Sequence, residues 1–508
     1  MAFKEDEKSK MHPKKAYFIF MYLCGTSLFF IVAGIVLLCM WGSLYDYIIR
    51  SNLILKPNST AYSVWVKNPV PLSLKLFVFN WTNPKDIYDN NTKPKFQQLG
   101  PYYFSETKEK SSVIWNDNGT VTYKNLKKWY FEASLSNGSL TDTVTSIDPV
   151  ALSAVYTTRS WNYFVKKSLS GVLLSMIDSV SISHTVGQVL YEGYDDPLLK
   201  TASTISSFHA SLPKMEKFGW FYGRNGSEDS EGSFNIDTGV SGRTGQLYNW
   251  RYSNHTTYNP GSCGALENTS GGDFFPTDLK KDSIIKFFSP DMCRYVELEF
   301  EREVVIHGIV GYKYAAFDKF LDNGTKVPEN RCFCDGDCMP YGLLNISACR
   351  YGSPAFVSLP NFYKADPYYL QNVEGLTPEK EKNDFFMIFE PKTGIPLQVA
   401  ARLQLNLRLQ SVKGYSLYQG VPTVYFPVLW FEQVVAIPEN MTFTIKLLLN
   451  FKVICWAISI ISIIVGILVQ ICMCYKLCTM NLFGRKKSKK ANSKSAEPEI
   501  VPLKENST

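Results

Sequence analysis

Apolar residues concentrate in two long runs, one near each end of the chain. The first run is Ala16–Met40 and the second is Val453–Tyr475, and neither contains a charged residue. A helix needs roughly 20 apolar residues to cross a hydrocarbon core of about 30 Å, and lipid offers no partner for an unpaired backbone amide. The runs therefore predict transmembrane helices at 16–41 and 451–475. Because the first run is longer than a signal peptide requires and no small-residue cleavage site follows it, we expect an uncleaved anchor.

Between these runs, the clearest pattern is the two-residue alternation that is typical of β-strands. In Leu397–Leu409 (LQVAARLQLNLRL) apolar positions alternate with mostly polar ones, and Tyr295–Val304 (YVELEFEREV) alternates likewise. Both segments are predicted to be half-buried strands, and Lys75–Asn80 (KLFVFN) is predicted to be a buried strand. Turns rich in Pro, Gly and Asn separate such segments, which favours an antiparallel sheet or barrel.

Residues 147–212 follow a helical period instead. Asp148 is the expected N-cap, and Pro149 the first helical residue. Apolar residues then recur at helical spacing, at Val150, Ala154, Tyr156, Trp161, Phe164, Val165, Leu169, Val172, Leu173 and Met176. We predict a helical insert that forms a lid, an interaction surface or ordinary core packing. No repeat or low-complexity linker divides residues 42–450, so we predict one large domain there.

The formal net charge of +7 lies in the two ends of the 508-residue chain. Residues 1–15 contain five lysines against three acidic residues, residues 476–508 contain eight Lys or Arg against three, and the remainder is balanced. Basic residues beside apolar spans mark the cytosolic side of a membrane. We therefore predict cytosolic segments at 1–15 and 476–508 and a luminal or extracellular domain at 42–450. This distribution also argues against a nucleic-acid partner.

Asn-x-Ser/Thr triplets, the acceptor pattern for N-linked glycans, agree with this topology. Eleven of them lie in the predicted luminal segment, at Asn58, Asn80, Asn90, Asn118, Asn137, Asn225, Asn254, Asn268, Asn323, Asn345 and Asn440. Asn506 also fits the pattern, but it lies in the predicted cytosolic tail and is expected to be unmodified.

The stretch RCFCDGDC (331–338) has the composition of a metal knuckle, a redox site or a disulfide clasp. Six cysteines lie in the predicted luminal segment, at Cys263, Cys293, Cys332, Cys334, Cys338 and Cys349. In an oxidising compartment they are expected to form three disulfides, out of fifteen possible pairings. Zinc is the alternative, although no histidine lies among these residues, and the aspartates at 335 and 337 are expected to be solvated rather than calcium ligands.

The remaining cysteines lie in or beside the predicted spans. Cys472, Cys474 and Cys478 fall at the cytosolic boundary, where S-acylation is plausible. Cys24, Cys39 and Cys455 are expected to be small apolar residues within the spans.

The sequence contains no recognisable catalytic motif or cofactor site. The luminal histidines, His184, His209, His255 and His307, are scattered without ligand spacing, and there is no GxSxG, HExxH or P-loop motif. We therefore predict a protein that is not an enzyme and uses no cofactor.

Several stretches together resemble one membrane-protein family. They are VFNWTNP (78–84), GPYYF (100–104), GYDDPLL (193–199), FFSPDMCR (287–294), RCFC…CMPYGLLNISAC (331–349), SLPNF (358–362), EPKTGIPLQVAARLQLNL (390–407) and FPVLWFE (426–432). With them the chain resembles, from the first span through the second, the class B scavenger receptors. That family includes the fatty acid translocase, the lysosomal integral membrane proteins and the insect sensory neuron membrane proteins.

The resemblance implies a fold of mixed β and α structure. Two transmembrane helices would flank a large ectodomain that has an antiparallel β-barrel core, an apical helical bundle and an internal apolar tunnel towards the bilayer. The family pairing order would give the disulfides Cys263–Cys332, Cys293–Cys349 and Cys334–Cys338.

The resemblance also implies a function. A cell-surface receptor of this kind would capture lipids or lipid-bearing particles at its apex, residues 157–185, and pass lipid through the tunnel to the membrane. Phe164 and the cations Arg159, Lys166 and Lys167 would contact the ligand. Arg350 matches a position where the family can place a basic residue beside bound lipid.

One difference from some relatives concerns the ligand. The segment GVLLSMIDSVSIS (171–183) lacks the lysines that those relatives have and contains Asp178 instead. This favours neutral lipids, carotenoids or apolar odorants over modified lipoproteins. Fatty acids, sterols and lipoprotein-like particles or other lipid-exposing surfaces remain expected partners.

Two alternative functions share the predicted topology. One is a two-span ligand-gated channel, for which the spans offer only Ser459, Ser462, Gly466 and Gln470 as polar or small residues. The other is a recognition or trafficking receptor without lipid transfer. We expect residence in the plasma membrane, with endosome or lysosome second, and a homo-oligomer is one option.

Overall fold

The computed structural model describes residues 13–204, 215–334, 336 and 338–494. The described residues fall into two compact units, one formed by 13–49 with 443–494 and the other by 50–442. Asp335, Asp337 and His209 lie outside the described residues.

The helices and strands are numbered in chain order. The α-helices are α1 Pro13–Leu53, α2 Thr60–Val66, α3 Pro149–Thr157, α4 Tyr163–Met176, α5 Pro197–Thr204, α6 Asp318–Leu321, α7 Pro367–Gln371, α8 Lys380–Asn383 and α9 Glu439–Lys494. The strands are β1 Leu72–Trp81, β2 Phe96–Trp115, β3 Thr120–Phe131, β4 Thr143–Ile147, β5 Ser181–Thr185, β6 Ser233–Asp237, β7 Leu247–Trp250, β8 Ile285–Ser289, β9 Arg294–Ile306, β10 Ile309–Ala315, β11 Leu344–Asn345, β12 Ala355–Ser358, β13 Phe386–Phe389, β14 Pro396–Leu409 and β15 Val424–Ala436.

The first unit consists of α1 and most of α9, which contain the two predicted spans. Both helices are long and apolar enough to cross a membrane, and both are longer than predicted, since α1 continues beyond residue 41 and α9 begins before residue 451. Glycines bring the helices close together: a Cβ on Gly34 would lie 2.9 Å from the Ser459 carbonyl oxygen, and one on Gly466 would lie 2.9 Å from that of Ser27. The Ser27 hydroxyl also donates to Gln470 Oε1 at 2.6 Å.

The second unit is built on a large antiparallel sheet, as the alternating segments predicted. Its strand order is β7-β6-β3-β2-β1-β15-β14-β13-β10-β9-β8, and β12 adds to β14 and carries β11. A separate two-stranded sheet pairs β4 with β5. Within the described residues every pairing between these strands is antiparallel, and the large sheet is nearly barrel-shaped.

A short extended segment, Thr269–Ser270, lies between the two edge strands of the large sheet. On one side the Leu247 amide of β7 donates to the Thr269 carbonyl at 2.7 Å. On the other side the Ser270 amide donates to Lys286 of β8 at 2.9 Å, and the Phe288 amide donates back to Ser270 at 2.9 Å. These bonds satisfy backbone groups that an open edge would leave unpaired, so the segment nearly closes the barrel.

Strand β14 differs from its prediction, because its polar face is also buried. Gln404 and Asn406 have no exposed surface, and Arg402 is nearly covered. Gln404 Nε2 donates to Asn406 Oδ1 at 2.7 Å, and Asn406 Nδ2 donates to the Ser358 hydroxyl on β12 at 2.9 Å. The Asn361 amide also donates to Gln404 Oε1 at 2.7 Å. The alternation predicted the strand, but the face that was expected to meet water is buried.

The described part of the predicted helical insert, residues 147–212, contains three α-helices, α3, α4 and α5, and a turn separates α3 from α4. It also contains strand β5, which the prediction missed. Asp148 is the N-cap of α3, as predicted, since its Oδ1 accepts from the Val150 and Ala151 amides at 2.9 and 3.0 Å. Asn162 starts α4 in the same way by accepting from the Phe164 amide at 2.9 Å. The apolar period therefore identified helix correctly but did not show the break at residues 158–162.

Candidate functional site

Helix α4 packs through only one of its faces. Leu173 and Ser170 are buried, and Ser170 Oγ accepts from the Ser416 amide at 2.8 Å. Gly414 lies close to the helix, because a Cβ there would be 3.0 Å from Lys166 Cβ. The segment around residues 414–416 thus covers this face and leaves the rest of α4 exposed.

The exposed part of α4 is unusually apolar for a solvated helix. Phe164 is 78% exposed, and Val165, Val172 and Leu174 are between 45% and 48% exposed. Tyr163, in the first turn, is also exposed. We call these residues, together with Arg159, Lys166 and Lys167, the α4 surface. Contiguous exposed apolar residues on a folded domain usually mark a binding surface.

The three cations of the α4 surface are held by neutral acceptors. Arg159 Nη1 donates to the Tyr156 carbonyl at 2.7 Å, and its guanidinium lies 3.8 Å from the centre of the Tyr156 ring. Lys166 Nζ donates to the Arg159 carbonyl at 2.9 Å, and Lys167 Nζ donates to Ser416 Oγ at 3.0 Å. Within the described residues none of the three forms an ion pair, so their positive charges are uncompensated.

Arg350 lies outside the α4 surface, in a group of charges that the sequence did not predict. Its Nη2 donates to the Asp291 carbonyl oxygen at 2.7 Å and lies 3.9 Å from the Asp291 carboxylate, which also binds Arg224 at 2.9 Å. Burial would raise the pKa of Asp291, but Arg224, Lys127 and Arg350 outweigh it and lower that pKa to about 2. Arg350 therefore already has an acidic partner, and a role beside bound lipid stays a prediction.

A second buried ionic group connects strands β2 and β3 to residues outside them and was not foreseen either. Asp273 accepts from Lys108 Nζ at 2.9 Å and from Lys110 Nζ at 2.6 Å. Lys110 also donates to Asn125 Oδ1 at 2.7 Å, and Asn125 Nδ2 donates to Glu231 Oε2 at 2.8 Å. Burial lowers the pKa of Lys110 to about 7, although Asp273 opposes this. No sequence signal links Asp273 to Lys110, because 163 residues separate them.

A third group of charges, around Glu301, predicts how the stability of the protein depends on pH. Glu301 forms ion pairs with Lys313 at 2.7 Å and with Lys380 at 2.9 Å. Burial would raise the pKa of Glu301, but these lysines outweigh it and lower that pKa to about 2, from 4.5. A lowered folded-state pKa contributes stability above the unfolded-state pKa and loses it as the pH falls. We therefore expect the thermal midpoint of the full-length protein to fall between about pH 4 and pH 2, and to fall less steeply in a Glu301→Gln variant.

The measurement is a series of thermal unfolding scans across that pH window. Lys382 and Glu379, an exposed pair at 2.9 Å, supply the control variant Glu379→Gln, which should keep the parental slope. A Glu301→Gln slope equal to that of the parent would contradict the prediction.

The predicted luminal cysteines are paired in the structure. The disulfides are Cys263–Cys332, Cys293–Cys349 and Cys334–Cys338, the three pairs that the family resemblance implied. Cys472, Cys474 and Cys478 are unpaired and exposed on α9, so their S-acylation stays a prediction.

The predicted glycan acceptors differ in exposure. Eight are exposed, namely Asn58, Asn90, Asn118, Asn137, Asn225, Asn254, Asn268 and Asn440. Asn80 and Asn345 are half-buried. Asn323 is 4% exposed and its Nδ2 donates to the Met339 carbonyl at 3.0 Å, which argues against a glycan there in the folded domain. Asn225 Nδ2 also has a partner, the Trp129 carbonyl at 3.2 Å.

Two clefts on the second unit were not predicted. One, of about 320 Å³, includes Phe317, Tyr341, Tyr363, Lys326 and Lys364 in its lining. Both lysines are paired, Lys326 with Asp318 at 2.8 Å and Lys364 with Asp384 at 2.9 Å. The other cleft, of about 250 Å³, is lined by side chains of β3, β6 and β7 and the turns beside them. The tunnel that the resemblance implied stays a prediction.

Comparison with known proteins gives consistent similarities over most of the chain. A family model described as the CD36 family matches residues 25–477. The protein peste of Drosophila melanogaster is 36% identical over 422 residues, which cover 82% of this chain and 75% of that protein. Scavenger receptor class B member 1 of Mus musculus is 32% identical over 82% of this chain and 81% of its own length. Lysosome membrane protein 2 of Homo sapiens is 27% identical over 90% of this chain and 95% of its own length.

Proposed function

The chain belongs to the CD36 family, and from this premise we propose that it is a membrane receptor that captures lipid-bearing ligands at the α4 surface and passes lipid to the bilayer. The receptor role rests on the family. The site and the transfer step are our proposal, and we propose no enzymatic activity.

The α4 surface is the observation that carries the proposal. Its exposed apolar side chains would gain free energy by entering a lipid monolayer or contacting an apolar ligand. Its three uncompensated cations would attract anionic headgroups or fatty-acid carboxylates. A helix that combines both features, and buries only the opposite face, is suited to contact the surface of a lipid particle.

Transfer needs a dry path, because each methylene of a fatty acyl chain costs about 0.8 kcal/mol when it is exposed to water. An apolar tunnel through the second unit would keep the chain buried between the particle and the membrane. Such a path requires no catalytic group, only apolar walls. This agrees with a sequence that contains no recognisable catalytic motif.

The first alternative, a two-span channel, gains little support from α1 and α9. Of the polar or small residues in the spans, Gly466 and Gln470 take part in the contact between the helices, and the Ser462 hydroxyl donates to the Phe30 carbonyl at 3.1 Å. A ligand-evoked current in planar bilayers would nevertheless favour this alternative.

We further propose that both termini are cytosolic and that the second unit is luminal or extracellular. The basic ends of the chain support this orientation. Residence in the plasma membrane is our first choice, and the similarity to a lysosome membrane protein supports lysosomal residence as the second.

The test uses the full-length protein in phospholipid nanodiscs and emulsion particles that contain a fluorescent fatty acid. We expect nanodiscs with the protein to bind particles and to gain fluorescence several-fold faster than empty nanodiscs. Particle binding without faster transfer would contradict the transfer step and favour the second alternative, a recognition or trafficking receptor. Absence of binding would contradict the capture step as well.

A further inference from the structure

The smaller cleft, of about 250 Å³, has a lining that is mostly polar and carries no charged residue. Its lining residues are Asn116, Asn118, Thr120, Thr122, Ser233, Phe234, Asn235, Asn249 and Tyr252. Most of these side chains end in an amide or a hydroxyl group, and both groups donate and accept hydrogen bonds. Such a lining suits a neutral, hydroxyl-rich ligand better than an ion or a lipid chain.

The floor of this cleft is a row of polar residues on three neighbouring strands. Thr122 of β3 pairs with Asn235 of β6, and Asn235 pairs with Asn249 of β7. The alternate residues of β3, Val121 and Tyr123, point into a buried apolar cluster. Because side chains alternate along a strand, the row is held in place by the core behind it.

Hydrogen bonds fix the side chains of this floor but leave some of their donors and acceptors free. Asn235 Nδ2 donates to the hydroxyls of Thr120 and Thr122 at 2.9 and 3.0 Å, and Asn116 Nδ2 donates to the same two hydroxyls at 3.1 and 3.0 Å. The Thr122 hydroxyl therefore accepts twice and keeps its own proton to donate. The amide oxygens of Asn116 and Asn235 remain as acceptors, since these bonds use only the nitrogens.

An aromatic ring at the edge of the cleft is presented by an unusual turn. Arg251 and Tyr252 form a two-residue turn, closed by bonds of 2.8 and 3.1 Å between the backbones of Trp250 and Ser253. Both turn residues have positive φ, 50° and 64°, where glycine or asparagine is normally found. The turn adopts this conformation despite its cost, and it leaves the Tyr252 side chain 80% exposed beside the cleft.

Asn118, a predicted glycan acceptor, lines the same cleft. It belongs to the acceptor triplet Asn118-Gly119-Thr120 in the turn between β2 and β3, where Gly119 has φ of 77°. Its Oδ1 accepts from the Thr120 amide at 3.3 Å and from the Thr120 hydroxyl at 2.7 Å. Within the described residues Asn118 Nδ2, the atom that carries an N-linked glycan, makes no hydrogen bond.

We propose that this cleft is a saccharide-binding site and that its occupant is the proximal N-acetylglucosamine of a glycan on Asn118 itself. The sugar hydroxyls and acetamide would bond to the Thr122 hydroxyl and to the Asn116, Asn235 and Asn249 amides, while Tyr252 packs against the ring. Covalent attachment at the edge of the cleft gives the sugar a high effective concentration there, so weak contacts suffice. The inference requires the luminal placement of the second unit but does not depend on lipid transfer.

The experiment measures how fast an N-glycosidase releases each glycan from the folded, full-length protein produced in secretory cells. Release is followed site by site by mass spectrometry, and each rate is divided by the rate after denaturation. We expect native release at Asn118 to be roughly tenfold slower than at exposed Asn254, the protection that two or three weak contacts would give. Tyr252→Ala and Asn249→Ala should each remove most of that protection.

The matched control is Tyr351→Ala, because Tyr351 is also an exposed tyrosine with positive φ, 62% exposed and at 56°, but does not line this cleft. A thermal midpoint close to that of the parent shows that each variant is folded. The inference fails if Asn118 carries no glycan while other acceptors do, if Asn118 and Asn254 are released equally, or if Tyr252→Ala behaves like Tyr351→Ala. Absence of glycans from every acceptor would instead contradict the luminal placement as well.

Discussion

Replacing Phe164 by glutamate should weaken the binding of lipid-coated particles roughly 10- to 100-fold. Burying a phenylalanine side chain contributes about 1.5–3 kcal/mol, and each 1.4 kcal/mol is a factor of ten in affinity. Phe164 is 78% exposed, so nearly all of this gain is available to a ligand. A glutamate would lose the apolar contact and would also place a negative charge beside Arg159, Lys166 and Lys167.

Val305→Glu is the matched control for this variant. Val305 is an apolar residue of β9, outside the α4 surface, and is 66% exposed. Glutamate there introduces the same charge and should leave binding unchanged. Because both sites are largely exposed, the thermal midpoints of the two variants should stay close to that of the parent.

Binding of particles to full-length protein in nanodiscs, titrated at two salt concentrations, measures the effect. The cations of the α4 surface predict that binding by the parent weakens as salt increases. Equal affinities of Phe164→Glu and Val305→Glu would show that ligands are captured elsewhere. The larger cleft, with Phe317 and Tyr363 in its lining, would then be the next surface to test.

Local chemistry explains which parts of the fold were predictable from the sequence. Asp148 followed by Pro149 identified the start of α3, because a capping carboxylate and a proline at the first position act within one turn. The alternation in residues 397–409 identified β14 because it, too, is a pattern between near neighbours in the sequence. Neither pattern contains information on what covers the opposite face, so the burial of Gln404 and Asn406 was not foreseen.

The candidate site shows the same limit. Phe164 and the cations Arg159, Lys166 and Lys167 are within ten residues of one another, so one short helix with its preceding turn presents them together. Arg350 was expected beside bound lipid, and no pattern indicated that the fold brings Asp291 to it from 59 residues away. The cleft at Asn118 likewise combines residues from three separate strands. Pairings of this kind depend on the register of the sheet, which no local pattern reports.

The ionic group around Asp273 is the most consequential of these non-local pairings, and replacing Asp273 by alanine should destabilise the ectodomain by about 3–5 kcal/mol. The side chain of Lys110 is only 2% exposed, and Asp273 is its acidic partner at 2.6 Å. Lys108 shares the same carboxylate at 2.9 Å. Without Asp273, Lys110 must either remain as an uncompensated buried charge or give up its proton, and both changes cost free energy.

Asp229→Ala is the matched control, because Asp229 binds Lys124 on the neighbouring strand β3 at 2.5 Å but is 78% exposed. An exposed pair contributes about 0–1 kcal/mol, so this variant should unfold almost like the parent. Thermal unfolding of the three proteins, followed by tryptophan fluorescence, compares their midpoints under identical conditions.

A second variant separates the loss of an ion pair from simple loss of packing. In the double variant Asp273→Ala/Lys110→Met the buried ammonium is gone, and replacing a buried pair by apolar groups is often close to neutral. We therefore expect the double variant to recover most of the stability that Asp273→Ala loses. If it does not recover, or if Asp273→Ala unfolds at the same temperature as Asp229→Ala, the buried charge is not what makes Asp273 necessary, and the fold tolerates an unpaired Lys110.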